Sequence, residues 1–185
     1  PCVAFDTACS AALAALHSGL RALQLSECPY GLVAASQLML APFVGISFAT
    51  AGMTSPNGRC HTFDARANGY ARGEATGSVS LTASDGEAMR VLGSAVRQDG
   101  RSASLTAPSG AQQQGLLNAS WLDADVTAHN LIMGEAHGTG TALGDPIEAG
   151  SLVAAVLTSI DDDLDHPLVL SGVKANIGHA EPAAG

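Results

Sequence analysis

Short apolar runs alternate with helix-forming stretches along this chain, and that alternation constrains the fold more than any other feature of the sequence. The predicted helices, in which helix formers carry an apolar stripe, cover residues 9–25, 112–123 and 147–157. The predicted strands cover residues 31–40, 77–83, 91–96, 131–133 and 168–173. Strands and helices that follow one another in this way indicate an α/β fold built in layers.

The segments between these elements carry turn-forming and charged residues. Residues 54–77 are rich in Gly, Asn and Arg, which predicts structured loops, and the acidic residues 161–165 are typical of a surface loop. Ahead of the third predicted helix, Pro146 suits the first turn and Asp145 suits the N-cap. The chain shows no repeat of fixed period and no linker composition, so we predict no second domain and interpret residues 1–185 as part of one larger domain.

Composition and charge exclude several classes of protein. The 185 residues are 46% hydrophobic and 14% charged, which is typical of a globular chain and not of a disordered one. The formal net charge is −9, and the 8 Lys and Arg residues cannot form the basic stripe that nucleic-acid binding requires. No apolar run approaches the roughly 20 residues of a membrane-spanning helix. We therefore expect no nucleic-acid partner and no membrane span.

The four cysteines follow neither a metal-binding nor a disulfide pattern. Cys2, Cys9, Cys28 and Cys60 include no C-x-x-C pair, and their spacing matches no zinc site. A chain of this length has enough core to fold without disulfides. We therefore predict no bound metal, and reduced thiols in a reducing intracellular compartment, either cytoplasmic or organellar.

Cys9 is the candidate nucleophile. It lies in Asp-Thr-Ala-Cys-Ser at residues 6–10, where the first predicted helix begins. The positive end of the helix macrodipole and the unpaired amide N–H groups at that position favour a thiolate. A cysteine considered alone is more often a buried structural residue, because free Cys is among the most buried residue types.

A second chemically suited segment is Glu-Ala-His-Gly-Thr-Gly-Thr at residues 135–141. Its glycines allow the backbone to approach a ligand, and Thr139 and Thr141 offer hydroxyl groups. Its histidine, His137, could donate a hydrogen bond or act as a general acid or base. The segment considered alone is equally consistent with a tight turn.

The third segment, Lys-Ala-Asn-Ile-Gly-His at residues 174–179, directly follows an apolar run. It contains Lys174 and His179, and it lacks the G-x-x-x-x-G-K-[ST] pattern of a phosphate-binding loop. A lone lysine is usually a solvated surface charge. Together with Cys9 and His137, however, the segment completes a set suited to thioester chemistry: a sulfur that can be acylated and two imidazoles that can polarise or protonate a second substrate.

The three segments together resemble the β-ketoacyl synthase (ketosynthase) domain of type I polyketide synthases and fatty-acid synthases. Residues 6–10 are similar to the nucleophile motif, residues 135–148 to the second motif, and residues 173–179 to the third. The resemblance continues through residues 51–60, 62–65, 69–74 and 98–101, so that it covers nearly the whole chain. The departures are Ala11, Ala12 and Ala175, where the family usually has serine, the tract 32–46, and Arg97, where the family usually has asparagine.

The resemblance implies a role for each residue that matches a motif. Cys9 would accept the acyl chain, and His137 and His179 would decarboxylate a malonyl unit. Lys174 would order the electrostatics around His179. Thr139 and Thr141 would lie along a phosphopantetheine arm as substrate-binding residues. Residues expected to order the site are Glu148, Asn176 and Gly178.

The resemblance also implies the fold and the partners. The fold would be thiolase-like, with αβαβα layers, and this chain would be an incomplete central fragment running from the late N-terminal half to the early C-terminal half of a usually homodimeric domain. An acyl carrier protein would deliver acyl and malonyl thioesters. No cofactor would be bound directly, since the phosphopantetheine arm belongs to the carrier protein.

Three alternatives remain open. A thiolase or chalcone-type condensing enzyme also uses a cysteine on this fold, but it should carry a different partner set, Cys/His or His/Asn. A non-catalytic docking or chain-length subunit of a synthase typically lacks the cysteine, whereas Cys9 is present. A generic cysteine hydrolase would leave the two histidine segments unexplained.

Overall fold

The structure is a computed structural model that describes residues 2–84, 86, 89–102, 104, 107–160, 164 and 166–185. The helices are α1 Ala11–Gln24, α2 Pro42–Thr50, α3 Gly110–Ala124, α4 Gly144–Ser159 and α5 Lys174–Ile177. The strands are β1 Tyr30–Gln37, β2 Ala75–Thr82, β3 Met133–Glu135 and β4 Val169–Ser171. Short 3-10 turns cover Ala8–Ser10, Ala128–Asn130 and Glu181–Ala183. All but one residue of the acidic loop predicted at 161–165 lie outside the described residues.

The chain divides into two compact units. The first consists of Pro1–Ser47, Arg72–Arg90 and His179–Gly185, and the second of Phe48–Ala71 and Val91–Gly178.

In the first unit, α1 packs on an antiparallel pair of strands. β1 and β2 pair from Tyr30 opposite Thr82 to Gln37 opposite Ala75, and side chains along β1 alternate between half-buried and exposed. A Cβ added at Gly19 of α1 would lie 3.1 Å from Leu81 Cδ1, so the glycine lets the helix approach the sheet closely. Leu81 is buried beneath the helix. The 3-10 turn Glu181–Ala183 packs against both β1 and the turn Ala8–Ser10.

In the second unit, α3 packs against α4, and β3 pairs in parallel with β4. The α3–α4 contact includes a hydrogen bond in which Ser151 Oγ donates to the carbonyl of Gly110 at 3.2 Å. The parallel pair runs from Met133 opposite Val169 to Glu135 opposite Ser171. Because these two strands are parallel, the loops that follow them begin at the same edge of the pair.

The three predicted helices and four of the five predicted strands are present, with shifted ends. The predicted strand 91–96 is wrong: these residues pass the C-terminal end of α3, where Ser94 N donates to Asp123 Oδ2 at 2.9 Å instead of joining a ladder. Apolar β-branched residues favour a strand only where a neighbouring strand can accept them. Helix α2 was not predicted, since Pro-Phe-Val-Gly-Ile-Ser-Phe-Ala-Thr combines weak helix formers.

The N-cap predicted for Asp145 is also wrong. Leu143 occupies the N-cap of α4, and Asp145 is the second residue of the helix. Its carboxylate accepts hydrogen bonds from backbone N–H groups of loops outside the helix. It therefore does not cap α4, although aspartate is a common N-cap residue.

Candidate active site

The predicted site residues belong to both units. Cys9 and His179 lie in the first unit. The second unit contains the others, namely His137, Thr139, Thr141, Glu148, Lys174, Asn176 and Gly178.

A sharp turn presents Cys9 at the start of α1. Ala8 has a φ of 52°, in the left-handed region that residues with a Cβ adopt uncommonly. Ser10 then fixes the turn, because its N–H and its Oγ both donate to the carbonyl of Thr7, at 3.3 and 2.9 Å. Cys9 is a free, half-buried thiol in this 3-10 turn. Local strain of this kind is common where a fold fixes a reactive side chain.

His179 lies beside Cys9 within the first unit. The Cys9 sulfur and a ring nitrogen of His179 are within 4.8 Å of each other. His179 is buried, with 4% of its surface exposed, whereas Cys9 is half-buried. An acyl group on the sulfur could therefore contact the imidazole.

In the second unit, the His137 loop follows β3 and is held by a carboxylate from α4. Glu148 Oε1 accepts a hydrogen bond from the N–H of His137 at 2.5 Å, and Glu148 Oε2 accepts one from the N–H of Gly138 at 2.8 Å. Charge-assisted hydrogen bonds of this type are stronger than neutral ones and fix both donors relative to α4. Glu148 therefore orders the backbone that carries the imidazole.

The surroundings of His137 favour its neutral form. Desolvation by the surrounding protein atoms lowers the pKa of His137 from its usual 6.5, although part of the residue remains exposed to solvent, and the positive charge of Lys174 lowers it further. The negative charges of Glu148 and Asp145 act in the opposite direction without reversing the shift. A neutral imidazole carries one N–H donor and one acceptor nitrogen, so it can donate a hydrogen bond to a substrate oxygen.

Asp145 was missed as a site-ordering residue. Its side chain is 3% exposed, and it accepts hydrogen bonds from the N–H groups of Phe63 at 2.8 Å, Gly140 at 3.1 Å and Thr141 at 3.2 Å. The carboxylate thus joins two loops that are distant in sequence. The only signal in the sequence was the acidic residue before a helix, which a capping preference also explains.

Both the backbone conformation and the neighbouring atoms require a glycine at position 140. Its φ is 80°, and a Cβ at this position would lie 2.5 Å from the N atom of His61. Any side chain would therefore displace the neighbouring loop. The close approach explains one glycine of the Gly-Thr-Gly segment.

Lys174 is buried, with 5% of its surface exposed, and it is the first residue of α5, which follows β4. Asn176 is exposed on the same short helix. Gly178 ends the helix at a φ of 78°, and its N–H donates to the carbonyl of Lys174 at 2.9 Å. The buried lysine is not the solvated charge that is usual for this residue type.

The two threonines of the second segment have different surroundings. Thr139 is buried, whereas Thr141 lines a cleft of about 430 Å³ together with Phe63, Ala142 and Pro146. Thr141 Oγ1 also accepts a hydrogen bond from Gly144 N at 3.1 Å, at the start of α4. Thr141 is therefore open to a ligand in this cleft, and Thr139 is not among the residues that line it.

The electrostatic account of His137 predicts opposite effects of two substitutions. Lys174→Met removes a positive charge that lowers the pKa, so the pKa of His137 should rise toward 6.5. Glu148→Gln removes a negative charge that raises the pKa, so it should fall further. NMR titration of the His137 ring resonances would measure both shifts. Shifts of the same sign in both variants would contradict the account.

Comparison with known proteins places these features in a family. Residues 1–85 match the β-ketoacyl synthase N-terminal domain, and residues 88–185 match the β-ketoacyl synthase C-terminal domain. The chain is 43% identical over 192 residues to a phenolphthiocerol/phthiocerol polyketide synthase of Mycobacterium tuberculosis, and 41% identical to highly reducing polyketide synthase 40 of Fusarium mangiferae. It aligns over its whole length but spans only 10% and 8% of those two proteins.

Two solved ketosynthase structures are also similar to this chain. The ketosynthase from module 6 of the bacillaene synthase of Bacillus subtilis 168 matches with a TM-score of 0.90 at 37% identity, over 98% of this chain and 34% of that one. An oxazolomycin ketosynthase domain from Streptomyces albus JA3453 matches with a TM-score of 0.93 at 34% identity, over 100% of this chain and 33% of that one. The predicted thiolase-like α/β fold and the resemblance to type I polyketide-synthase ketosynthase domains are thereby confirmed. The chain belongs to the β-ketoacyl synthase family of enzymes.

Proposed function

We propose that this chain supplies the reacting groups for decarboxylative Claisen condensation in polyketide or fatty-acid chain extension. The observation that carries the proposal is the pairing of Cys9 with His179 within 4.8 Å, in a chain that belongs to the β-ketoacyl synthase family. The proposed partner is an acyl carrier protein, whose phosphopantetheine arm delivers both thioesters. The full domain is proposed to act as a homodimer.

The first step is acyl transfer to Cys9. The Cys9 thiolate attacks the carbonyl carbon of an acyl thioester, and the tetrahedral intermediate expels the phosphopantetheine thiolate, which takes up a proton from solvent. The backbone N–H of Cys9 is a proposed donor to the oxyanion, since that position lies at the N-terminal end of α1. The product is an acyl thioester on Cys9 and a free carrier thiol.

The second step is loss of carbon dioxide from the malonyl thioester. The bond from the α-carbon to the carboxylate breaks, and its electron pair forms an enolate on the thioester. His137 and His179 are proposed to donate hydrogen bonds to the developing enolate oxygen. The lowered pKa of His137 supports this role, because a neutral imidazole with an N–H can donate without being consumed as an acid.

The third step forms the new carbon–carbon bond. The enolate carbon attacks the acyl carbonyl on Cys9, and the Cys9 thiolate leaves. The β-ketoacyl product is two carbons longer and stays on the carrier protein. Thr139 and Thr141 are proposed to contact the phosphopantetheine arm, which for Thr141 is supported by its place on the 430 Å³ cleft. The two histidines are proposed to be held in place by Lys174, Glu148, Asn176 and Gly178.

An activity assay of the complete ketosynthase domain that contains this chain would test the proposal. It would be incubated with an acyl-pantetheine thioester and radiolabelled malonyl-carrier protein. Formation of a labelled β-ketoacyl-carrier product and release of carbon dioxide are expected. A domain that neither takes up acyl groups nor decarboxylates malonyl-carrier protein would instead be a non-catalytic docking or chain-length subunit.

No helix in the described part of the chain combines the length and apolar character of a membrane span.

A further inference from the structure

A largely buried ion pair between Arg72 and Glu181 lies next to the segment that contains His179 in the first unit. Arg72 Nε donates to Glu181 Oε1 at 2.5 Å, and Arg72 Nη2 donates to Glu181 Oε2 at 2.9 Å. Only 13% of the arginine side chain and 15% of the glutamate side chain are exposed. Two parallel hydrogen bonds fix the orientation of both groups as well as their distance. The pair is therefore a rigid connection between two segments that are 109 residues apart.

Glu181 has a further partner at the end of β1. Gln37 Nε2 donates to Glu181 Oε2. The backbone of Glu181 has a φ of 45°, a conformation that a residue with a Cβ adopts only when its surroundings hold it there. The carboxylate thus connects Arg72 and Gln37 to the turn that begins two residues after His179.

The main chain connects the same segments. Residues 72 and 179 form an isolated β-bridge, and Gly73 N donates to the carbonyl of His179 at 2.9 Å. The turn Glu181–Ala183 packs in turn against Ala8–Ser10, which contains Cys9. Main-chain contacts at His179 and side-chain contacts at Glu181 therefore restrain this segment next to the turn that presents the sulfur.

We infer that Arg72 and Glu181 are positioning residues, whose ion pair holds the His179 imidazole beside Cys9. This inference rests on the proposed function, because it assigns the pair to the decarboxylation step in which His179 acts. Neither side chain needs to touch the substrate. The pair acts through the backbone that follows His179 and through the bridge between residues 72 and 179, so its loss should displace the imidazole more than the sulfur, which the separate Ser10 and Thr7 contacts also hold.

Glu181→Gln in the complete ketosynthase domain tests the inference. Glutamine keeps the shape of the side chain but removes its charge. We expect decarboxylation of malonyl-carrier protein to fall about 100-fold, because a catalytic group displaced by about 1 Å typically loses that factor. Acylation of Cys9 should fall less than about threefold, since that step does not use His179. A general loss of folding would lower both half-reactions together.

Three arginine variants supply a matched control, a second test of the ion pair and a conservative rescue. Arg66 makes the same bidentate contact with Asp64, but its side chain is 74% exposed, so Arg66→Gln should leave both half-reactions unchanged. Arg72→Gln should reproduce the decarboxylation defect of Glu181→Gln. Arg72→Lys keeps the charge and loses only the bidentate geometry, so it should decarboxylate faster than Arg72→Gln and more slowly than the wild type.

The half-reaction rates of these variants distinguish the positioning role of the ion pair from the proposed function. Wild-type decarboxylation in both Glu181→Gln and Arg72→Lys would overturn the inference and leave the proposed function intact. A parallel fall of acylation and decarboxylation would also overturn it, since the pair would then stabilise the fold in general. If Glu181→Gln is insoluble, the rate ratio of the two half-reactions in Arg72→Lys gives the same decision. A wild-type domain without either half-reaction would refute the proposed function itself.

Discussion

Replacing Cys9 with alanine is expected to abolish acyl transfer to the protein and the formation of β-ketoacyl product. Alanine removes the sulfur and leaves the turn Ala8–Ser10 and helix α1 able to form, because alanine is the best helix former. The expected loss of condensation exceeds about 1,000-fold, as is typical when the nucleophile of a catalytic set is removed. Radiolabelled acyl groups bound to the protein would measure the effect.

The matched control for this substitution is Cys28→Ala. Cys28 is a free thiol in the first unit and is half-buried, as Cys9 is. It lies after α1 and not in the turn at its start. Its replacement should leave acylation unchanged. Acyl label that persists in Cys9→Ala and disappears in Cys28→Ala would refute the assignment of the nucleophile.

Replacing His179 with alanine is expected to stop decarboxylation and to preserve acylation of Cys9. The imidazole is proposed to stabilise the enolate, and removing one such donor or acid–base group typically costs about 100- to 10,000-fold in rate. Carbon dioxide release from malonyl-carrier protein and acyl label on Cys9, measured on the same sample, separate the two half-reactions. His179 contributes through its side chain, since the hydrogen bond from Gly73 to its carbonyl survives the substitution.

His17→Ala is the control for this second variant. His17 is a half-buried histidine on α1, in the same unit as His179, and no step of the mechanism uses it. Both half-reactions should continue at the wild-type rate. If His179→Ala loses acylation and decarboxylation to the same extent, His179 would instead be needed for the structure around Cys9, and the division of roles would be wrong.

Local patterns predicted most of the regular structure, and tertiary contacts explain the errors. Helices α1, α3 and α4 carry runs of helix formers, so their existence follows from the sequence. Helix α2 contains two phenylalanines and β-branched residues, and such a stretch becomes helical only through its surroundings. Residues 91–96 have strand-like composition but lie at the end of α3, where no described strand accepts them.

The candidate site was predictable to the extent that its residues cluster in short motifs. Cys9, His137, Lys174 and His179 stand in contiguous segments whose residue types match a known family. The residues that hold those segments were harder to find. Glu181 meets Arg72 across 109 residues, and Asp145 meets Phe63 across 82, so only the folded chain reveals either contact. Nothing in local spacing distinguishes these carboxylates from the other acidic residues of the chain.

Cys9 is proposed to carry the growing acyl chain and to release it by condensation. The most direct measurement is peptide mass spectrometry of the complete ketosynthase domain, first after incubation with an acyl-pantetheine thioester and again after addition of malonyl-carrier protein. We expect an acyl group on the Cys9 peptide that disappears in the second stage, with a β-ketoacyl group appearing on the carrier protein. An unmodified Cys9 peptide, or an acyl group that malonyl-carrier protein does not remove, would contradict it.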